Sequence, residues 1–205
     1  MAIKDIKPTR SELIELKKKI KLSESGHKLL KMKRDGLILE FFEILNKAKN
    51  IRAELDRDYK IAEEKLAIAQ TVMGSVAVKS TAFALTDKPE IELESKNVMG
   101  VVVPKIESSS IKKPIHERGY GIIGTSACID EAVSAYETLV ERIILAAEIE
   151  TTMKKLLEDI EKTKRRVNAL EFRVIPELKE AMNFIVLRLE EMERENTFRL
   201  KKIKS

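Results

Sequence analysis

The sequence predicts a mainly α-helical protein in which two long helices form an antiparallel coiled coil, with a small β-hairpin-containing head inserted between them. Charged residues make up 36% of the 205-residue chain and aromatic residues only 4%, as is typical of long helices with solvated faces. Apolar residues recur at steps of three and four near both ends of the sequence. Three of the five prolines and five of the seven glycines lie between these regions.

The first predicted segment is a helix over residues 9–72. Pro8 and Thr9 precede it, and Ser11 with Glu12 favours a helix start there. The narrow stripe of a coiled-coil seam, defined as the residues that face the partner helix, runs along it. Its members are Leu13, Leu16, Ile20, Ser23, His27, Leu30, Arg34, Leu37, Phe41, Ile44, Ala48, Ile51, Leu55, Ala62, Leu66 and Ala69.

The last predicted segment, residues 126–203, is a second seam-bearing helix. Steps of four and three give way to two successive steps of four near Pro176, which indicates a local change in helix winding. An interior proline costs about 3 kcal/mol, but the stripe continues beyond it, so we expect a kink and not an end. Its seam comprises Ile149, Met153, Leu156, Ile160, Thr163, Val167, Leu170, Val174, Leu178, Ala181, Ile185, Leu189 and Met192.

The middle segment, residues 74–125, predicts a small head. IELES (91–95) alternates apolar and polar residues, and VVVPKIE follows NVMG, which indicates a hairpin that turns at or near Asn97–Gly100. Pro104 places its strand at a sheet edge. Because the head must reverse the chain, the two helices are expected to run antiparallel.

Polar residues interrupt the N-terminal seam at Ser23, His27 and Arg34, and Gly26 and Gly36 lie beside them. Antiparallel pairing places this stretch opposite KRRVNALEFRVIP (164–176). Polar seam residues commonly fix the register of a coiled coil at some expense of stability. Bending or twisting of this stretch under load is the alternative interpretation.

The stretch RGYGIIGTS contains G-x-G-x-x-G at Gly119, Gly121 and Gly124, the pattern that holds dinucleotide pyrophosphates. That chemistry needs a strand before the loop and a βαβ unit around it, whereas polar, proline-containing KKPIHER precedes it and one long helix follows. The pattern therefore favours a structural glycine turn into the helix, capped by Thr125 or Ser126. An NAD or FAD site that Gly121→Val would abolish is the less favoured alternative.

No other pattern indicates catalysis, a cofactor or a metal ion. His27 and His116 lie in different segments, and the metalloprotease, Walker and nucleophile-elbow motifs do not occur. Cys128 is the single cysteine, and with no signal peptide the pattern fits a reducing cytoplasm. No stretch of about 18 apolar residues occurs, so membrane insertion is not expected.

The formal net charge of +5 suits an acidic partner. Basic and acidic residues are interleaved along most of the chain, which more often indicates solvated helix faces than a nucleic-acid surface. A basic coiled coil that binds nucleic acid or acts as a scaffold is the alternative, but the stacking aromatics of such surfaces are missing. The candidate partner contacts are Lys201, Lys202, Lys204, Arg165 and Arg166.

Several blocks, taken together and in order, resemble the D subunit of the archaeal and vacuolar-type rotary ATPases. They are PTRSELIELKKKIKL, GHKLLKMKRD, RGYGIIGTSA, KRRVNALEFRVIPEL and LEEMERENTFRLKKIK, and KNVMGVVVPKI also fits the pattern. Because the blocks cover nearly the whole chain, the resemblance is far more specific than any single motif.

The resemblance implies a non-catalytic rotor component of the central stalk. Its two long helices would form a shaft that ends inside the catalytic hexamer of A and B subunits. The F subunit would bind beside the shaft, and the C subunit (also called d) would hold its base above the membrane ring. Rotation would link ATP synthesis or hydrolysis to ion transport, with this component peripheral on the cytoplasmic face of the membrane. No nucleic acid and no bound cofactor is implied.

Overall fold

The computed structural model describes residues 7–84, 91–108, 111–114, 118–121 and 124–204, and these form a mainly α-helical protein. A long N-terminal helix, a two-stranded antiparallel hairpin and a long C-terminal helical stretch follow one another, which confirms the predicted fold class. The elements are α1 (Arg10–Met73), α2 (Ser75–Ala84), β1 (Ile91–Val98), β2 (Val101–Ser108), α3 (Ala127–Ala169), a π-helical turn (Leu170–Val174) and α4 (Ile175–Lys204).

The chain divides into two compact units. Unit 1 contains residues 1–38 and 159–205, and unit 2 contains residues 39–158. Helices α1 and α3 contribute residues to both units. The predicted segments 9–72, 74–125 and 126–203 are consecutive stretches of the sequence, whereas the units group residues by contacts. The three-segment division stays a prediction about domains.

In unit 1, the start of α1 pairs antiparallel with α4. Arg10 bonds Glu193 at 2.6 Å, and Glu24 lies 2.8 Å from Lys179. Between these ion pairs, Leu16, Ala181 and Ile185 form a buried apolar cluster, and Leu13, Leu178, Phe184 and Leu189 pack against it. The pairing of low with high residue numbers shows the expected antiparallel direction within this unit.

Burial follows the predicted seams closely. Every predicted seam residue of α1 is buried or half-buried, and Leu37, Leu156, Val167 and Ile185 are almost fully buried. Met192 is the exception, because its side chain is 39% exposed. It lies where α4 approaches the end of its pairing with α1, so its assignment to the seam was wrong.

Thr9 caps the start of α1. Its Oγ1 accepts a hydrogen bond of 3.2 Å from the Glu12 backbone N–H, which has no partner inside the helix. The Thr9–Glu12 spacing is that of a capping box, with a glutamate at the third helical position. The helix start predicted from these residues is therefore found.

The C-terminal helical stretch continues through Pro176, but it contains a π-helical turn just before the proline. The Ile175 N–H bonds the Leu170 carbonyl, five residues back. A proline ring collides with the carbonyl four residues before it and offers no N–H to that group. For Pro176 that carbonyl belongs to Phe172, so the irregularity lies upstream of the proline, in the π turn, and not at the proline itself.

In unit 2, the second half of α1 packs antiparallel against α3. Arg142 bonds Glu54 and lies 3.6 Å from Asp58, one turn further along α1. Ala69, Tyr120, Ile129 and Ala132 form the buried cluster of this unit. Met73, Val78, Cys128 and Val133 pack around it, so Cys128 is a small packing residue of the first turn of α3.

Helix α1 ends at Met73, and the φ of 80° at the next residue, Gly74, lies in the left-handed region that suits glycine. The Gly74 N–H bonds the Gln70 carbonyl at 3.0 Å. Helix α2 starts at once, and its axis is bent by 115° from that of α1. Among the described helices, none alone is long and apolar enough to cross a membrane, and α1 with α2 passes that test only as a bent pair, by length and composition.

The hairpin turns at Met99 and Gly100, as predicted. Both have positive φ, 50° and 86°, the backbone that a two-residue type I′ turn requires. The Asn97 side-chain oxygen accepts the Gly100 N–H at 2.8 Å. Pro104 lies opposite Ser95 in the antiparallel register. Both strands of a two-stranded sheet are edge strands, so Pro104 lies in an edge strand, as predicted.

Candidate interaction surfaces and the glycine loop

The glycine loop is held against α3 by Arg118. Its guanidinium lies 2.9 Å from the Glu137 carboxylate, and it also donates to the backbone carbonyls of Lys113 and Asp130. The two side chains of the pair are only 9% and 14% exposed. Burial lowers the pKa of Arg118, but hydrogen bonding to Tyr120 and the attraction of Glu137 outweigh it, so the pKa is raised.

Tyr120 is the second anchor of the loop. Its ring is buried in the apolar cluster of unit 2, and its hydroxyl donates a short hydrogen bond to the Asp130 carboxylate in the first turn of α3. Burial, followed by the hydrogen bond to Asp130, raises the pKa of Tyr120. Arg118 and Tyr120 of the glycine loop are therefore both bound to α3 by polar contacts, Arg118 to Glu137 and Tyr120 to Asp130.

The glycines have different roles. Gly119 and Gly124 adopt φ of 80° and 96°, where a side chain would be strained, whereas Gly121 is not among the residues with positive φ. Of the two predicted caps, Ser126 is the one used. Its Oγ accepts the Cys128 N–H at 3.4 Å, while the Thr125 hydroxyl donates to the Gly121 carbonyl. The start of α3 is thus closed by the chain itself.

The dinucleotide fingerprint lacks its structural context in the described part of the chain. The sheet found there is the antiparallel β1–β2 hairpin, without a parallel strand. The loop leads into α3, and no further strand follows it in residues 124–204. Because the fingerprint works only inside a βαβ unit, the loop is better explained as a structural turn.

The polar stretch of the seam pairs with the π turn inside unit 1. The His27 Nε2 atom lies 3.4 Å from the Glu171 carboxylate, without making a hydrogen bond to any described residue. Nearby, Lys33 lies 3.1 Å from Asp159. Arg34 bonds its neighbour Asp35. The predicted placement of this stretch opposite residues 164–176 is confirmed by the His27–Glu171 contact.

The end of α4 carries three of the predicted partner contacts. Lys201, Lys202 and Lys204 lie in its last turn and are exposed. Sequence reasoning missed the apolar side chains among them, because the basic residues dominate the pattern. Phe198, Leu200 and Ile203 are 71%, 68% and 81% exposed. This surface, residues 194–204, is called the α4 tip below.

Arg165 and Arg166 lie far from the α4 tip. They are exposed near the end of α3, and Arg165 pairs with Glu161 within its own helix at 3.8 Å. At 1.5 Å per residue, the helical stretch from Arg166 to Lys201 spans about 50 Å. The five predicted contact residues therefore form two separate surfaces.

Two structural features had only weak signals in the sequence. The buried pair Arg118–Glu137 uses residue types that are common on every exposed helix face of this chain. The exposed apolar residues of the α4 tip lie beyond Met192, the last predicted seam residue, and that position is the one signal which could have identified them.

Nearly the whole chain is similar to one family of known proteins. The family model for the D subunit of ATP synthase matches residues 12–205. The chain belongs to the family of ATP synthase D subunits. The A-type ATP synthase D subunit of Methanococcoides burtonii is 76% identical over 204 residues, covering 100% of this chain and 99% of the relative. The Methanosarcina acetivorans protein of the same name is 69% identical, covering 100% and 98%.

More distant relatives also match nearly the whole of this chain. The A-type ATP synthase D subunit of Haloarcula marismortui is 55% identical over 202 residues, covering 98% of this chain and 88% of the relative. Membership of this family makes the chain a non-catalytic stalk component of an ATP synthase complex, where it lies together with other subunits.

Proposed function

We propose that this chain is the rotor of the central stalk and transmits torque between the catalytic A/B hexamer and the membrane ring. The observation that carries the proposal is α1, which runs for 64 residues from Arg10 to Met73 without interruption. In each unit it is paired antiparallel with a second helix through ion pairs and a buried seam. A continuous, laterally supported helix of this kind resists bending and twisting, which torque transmission requires.

We infer that the α4 tip contacts the A and B subunits. Three large apolar side chains and several lysines are exposed together there, and exposed apolar patches typically mark contact surfaces. A surrounding collar with apolar and acidic groups would complement both. The interleaved charges on the rest of the helices keep those faces hydrated, so that the shaft turns without adhering to one position.

We infer that the F subunit binds beside the helices and that the C (or d) subunit binds at the head of unit 2. The head exposes large apolar side chains on α2, with Val76 79% and Phe83 87% exposed. These positions support a binding role for the head. The complex would lie on the cytoplasmic face of the cell membrane, with this chain peripheral.

Recovery of partners from native membranes tests the proposal. An affinity-tagged chain, expressed in the host and purified after mild detergent extraction, should bring down A, B, F and C subunits in fixed ratios. Purification of the chain without A and B would contradict the proposed function.

The role of the α4 tip has its own test. Replacing Lys201, Lys202 and Lys204 with glutamine should lower the rate of coupled ATP hydrolysis or synthesis in the assembled complex. The matched control replaces three exposed lysines of α1 (Lys47, Lys49 and Lys60), which lie in unit 2. An unchanged coupled rate in the tip variant would show that these charges do not contact the hexamer.

A further inference from the structure

Within unit 1, helix α1 has a second apolar row on the side opposite its seam. The row consists of Ile14, Leu22, Leu29 and Met32, which are 56%, 75%, 62% and 54% exposed. At 100° per residue, these four side chains fall within an arc of about 80° on one side of the helix. They are called the outer row below.

No described residue covers the outer row. Helix α4 lies on the seam side, where Leu16 packs with Ala181 and Ile185. The outer row extends from residue 14 to residue 32, which is about 27 Å along the helix axis. Single exposed apolar residues are normal on a protein surface, whereas a continuous set of them marks a contact surface. The outer row is therefore a long, narrow contact surface.

The lysines that accompany the row give this surface a positive charge. Lys18, Lys21 and Lys28 lie on the same side of α1 as the row, and all three are exposed. None of the three forms an ion pair with a described residue. Their charges are therefore available to a partner.

Acidic residues do not neutralise this charge. Between residues 14 and 32 the sequence has six lysines against two glutamates, Glu15 and Glu24. Glu15 borders the row, but it lies 4.0 Å from Lys19 on its own helix. Glu24 lies towards α4, 2.8 Å from Lys179. The surface differs in this respect from the interleaved charges along most of the chain.

The shape and the charge of the surface specify its occupant. A second helix can follow the row over all of its 27 Å or so, because its own side chains form rows of similar spacing, whereas a loop would cover one or two turns. Complementary charge requires acidic residues on that helix. A second copy of this chain is a poorer occupant in any register, because it would add another excess of four positive charges, from six lysines and two glutamates, to the interface.

We propose that the outer row of α1 is the docking face for an amphipathic helix of a partner protein, with acidic residues beside its apolar stripe. Burial of the four apolar side chains would supply affinity, and the three lysines would select the acidic partner and orient it. The inference rests on the proposed function in that the partner is sought within the ATP synthase complex.

Carbodiimide cross-linking of the complex purified from native membranes tests the proposal, because this reagent joins a lysine amine directly to a carboxylate. Mass spectrometry should find Lys18, Lys21 and Lys28 joined to acidic residues of one partner segment, at spacings of three, four or seven residues. Cross-links to several separate segments would overturn the helix as the occupant. A lack of cross-links from all three lysines would overturn the docking face itself.

A double variant separates docking from simple proximity. Leu22→Gln with Leu29→Gln removes two apolar side chains and keeps a good helix former at both positions. Because both side chains are exposed, urea unfolding of the isolated chain should be unchanged, while the yield of the three cross-links should fall about tenfold or more. The matched control is Ile68→Gln with Val72→Gln, two exposed apolar residues of α1 in unit 2, and it should leave the yield unchanged. An unchanged yield in the first variant would overturn the proposal.

The isolated chain tests the other possible occupants. Dimerisation that is lost in Leu22→Gln with Leu29→Gln, measured by analytical ultracentrifugation, would overturn the proposal in favour of a second copy. Co-sedimentation with phosphatidylglycerol vesicles that is lost in the same variant would overturn it in favour of a lipid surface. Absence of the native chain from the purified complex would instead contradict the proposed function.

Discussion

The Arg118 guanidinium and the Glu137 carboxylate form an ion pair of 2.9 Å in which both side chains are almost entirely buried. This pair joins the glycine loop to the third turn of α3 and lies beside the buried Tyr120 ring. Buried pairs are weak evidence for net stability, but breaking one leaves an uncompensated buried charge. The loop is therefore held in place by a contact that tolerates little change.

Replacing Glu137 with alanine should destabilise the protein by about 3 kcal/mol, because Arg118 would lose its charge partner inside unit 2. Urea unfolding followed by circular dichroism measures the change. The matched control is Glu131→Ala on the same helix, whose side chain is 68% exposed and lies 3.9 Å from Lys65. That exposed pair should contribute less than about 1 kcal/mol. Equal effects of the two variants would show that the Arg118–Glu137 pair is not a buried anchor.

The raised pKa of Tyr120 predicts loss of stability in alkali. Burial and the hydrogen bond to Asp130 favour the neutral phenol in the folded state. The stabilisation is complete below the unfolded-state pKa of about 10 and declines as pH rises from there through the folded-state pKa. Lysines also titrate in this range, so the informative quantity is the difference in unfolding free energy between the native chain and Tyr120→Phe.

The pH range from about 8 to 11 includes the ordinary tyrosine pKa. As pH rises through this range, the native chain should lose more unfolding free energy than Tyr120→Phe, because the variant has no ionisable hydroxyl at this position. Urea titrations at a series of pH values would measure it. Tyr59→Phe provides the comparison, since Tyr59 is 51% exposed. A pH-independent difference for Tyr120 would contradict the burial of its hydroxyl.

Gly26→Ala should raise the stability of unit 1 by about 1 kcal/mol, the helix-propensity gain of alanine over glycine. An added Cβ at Gly26 meets no atom within 4 Å. Gly124→Ala should have the opposite effect, although it too has open space, because its φ of 96° is strained for an alanine. Thermal unfolding of the two variants tests the predicted stabilisation by Gly26→Ala and the predicted destabilisation by Gly124→Ala. If Gly26→Ala lowered the stability, helix propensity and open space would not account for the effect of this glycine.

The hairpin turn contains a strained residue that can be improved. Met99 has φ of 50°, a region in which asparagine is enriched and β-branched residues are outliers. The amides of Glu94 and Lys96 face β2 in the antiparallel ladder, so their hydrogen exchange reports on opening of the hairpin. Met99→Asn should therefore slow exchange of these two amides, and Met99→Val should accelerate it. Both variants leave the strands unchanged, so equal exchange rates in the two would mean that the turn does not limit hairpin opening.

Periodicity alone placed most of the helical architecture. The steps of three and four found Leu37 and Ile185 as seam residues, and they even placed His27 opposite the stretch that contains Glu171. This worked because a long coiled coil repeats one local rule, and each residue's environment follows from its place in the repeat. The hairpin turn was found for a similar reason, since Gly100 at a turn position is a local requirement.

Contacts between distant residues could not be predicted in this way. Arg118 and Glu137 meet only because the loop folds back on α3, and nothing in their residue types separates them from the many solvated charges of the chain. The successive steps of four near Pro176 indicated a local change in winding, and the structure has the π turn Leu170–Val174 there, but the periodicity did not show that the change takes the form of a π turn. The hydrogen bond from the Ile106 N–H to the Glu148 carboxylate likewise joins residues that are far apart in the sequence, and only the fold brings them together.

The π turn also determines where the chain can change in length. It holds one residue more than the α-helical turn it replaces, so deleting one residue within Leu170–Val174 would restore an ordinary helix and leave the faces on either side in phase. A deletion elsewhere in α3 or α4 would rotate everything downstream by about 100° and turn the seam away from α1. Along α3 and α4, the π turn is therefore the place where a one-residue length difference between relatives can be absorbed.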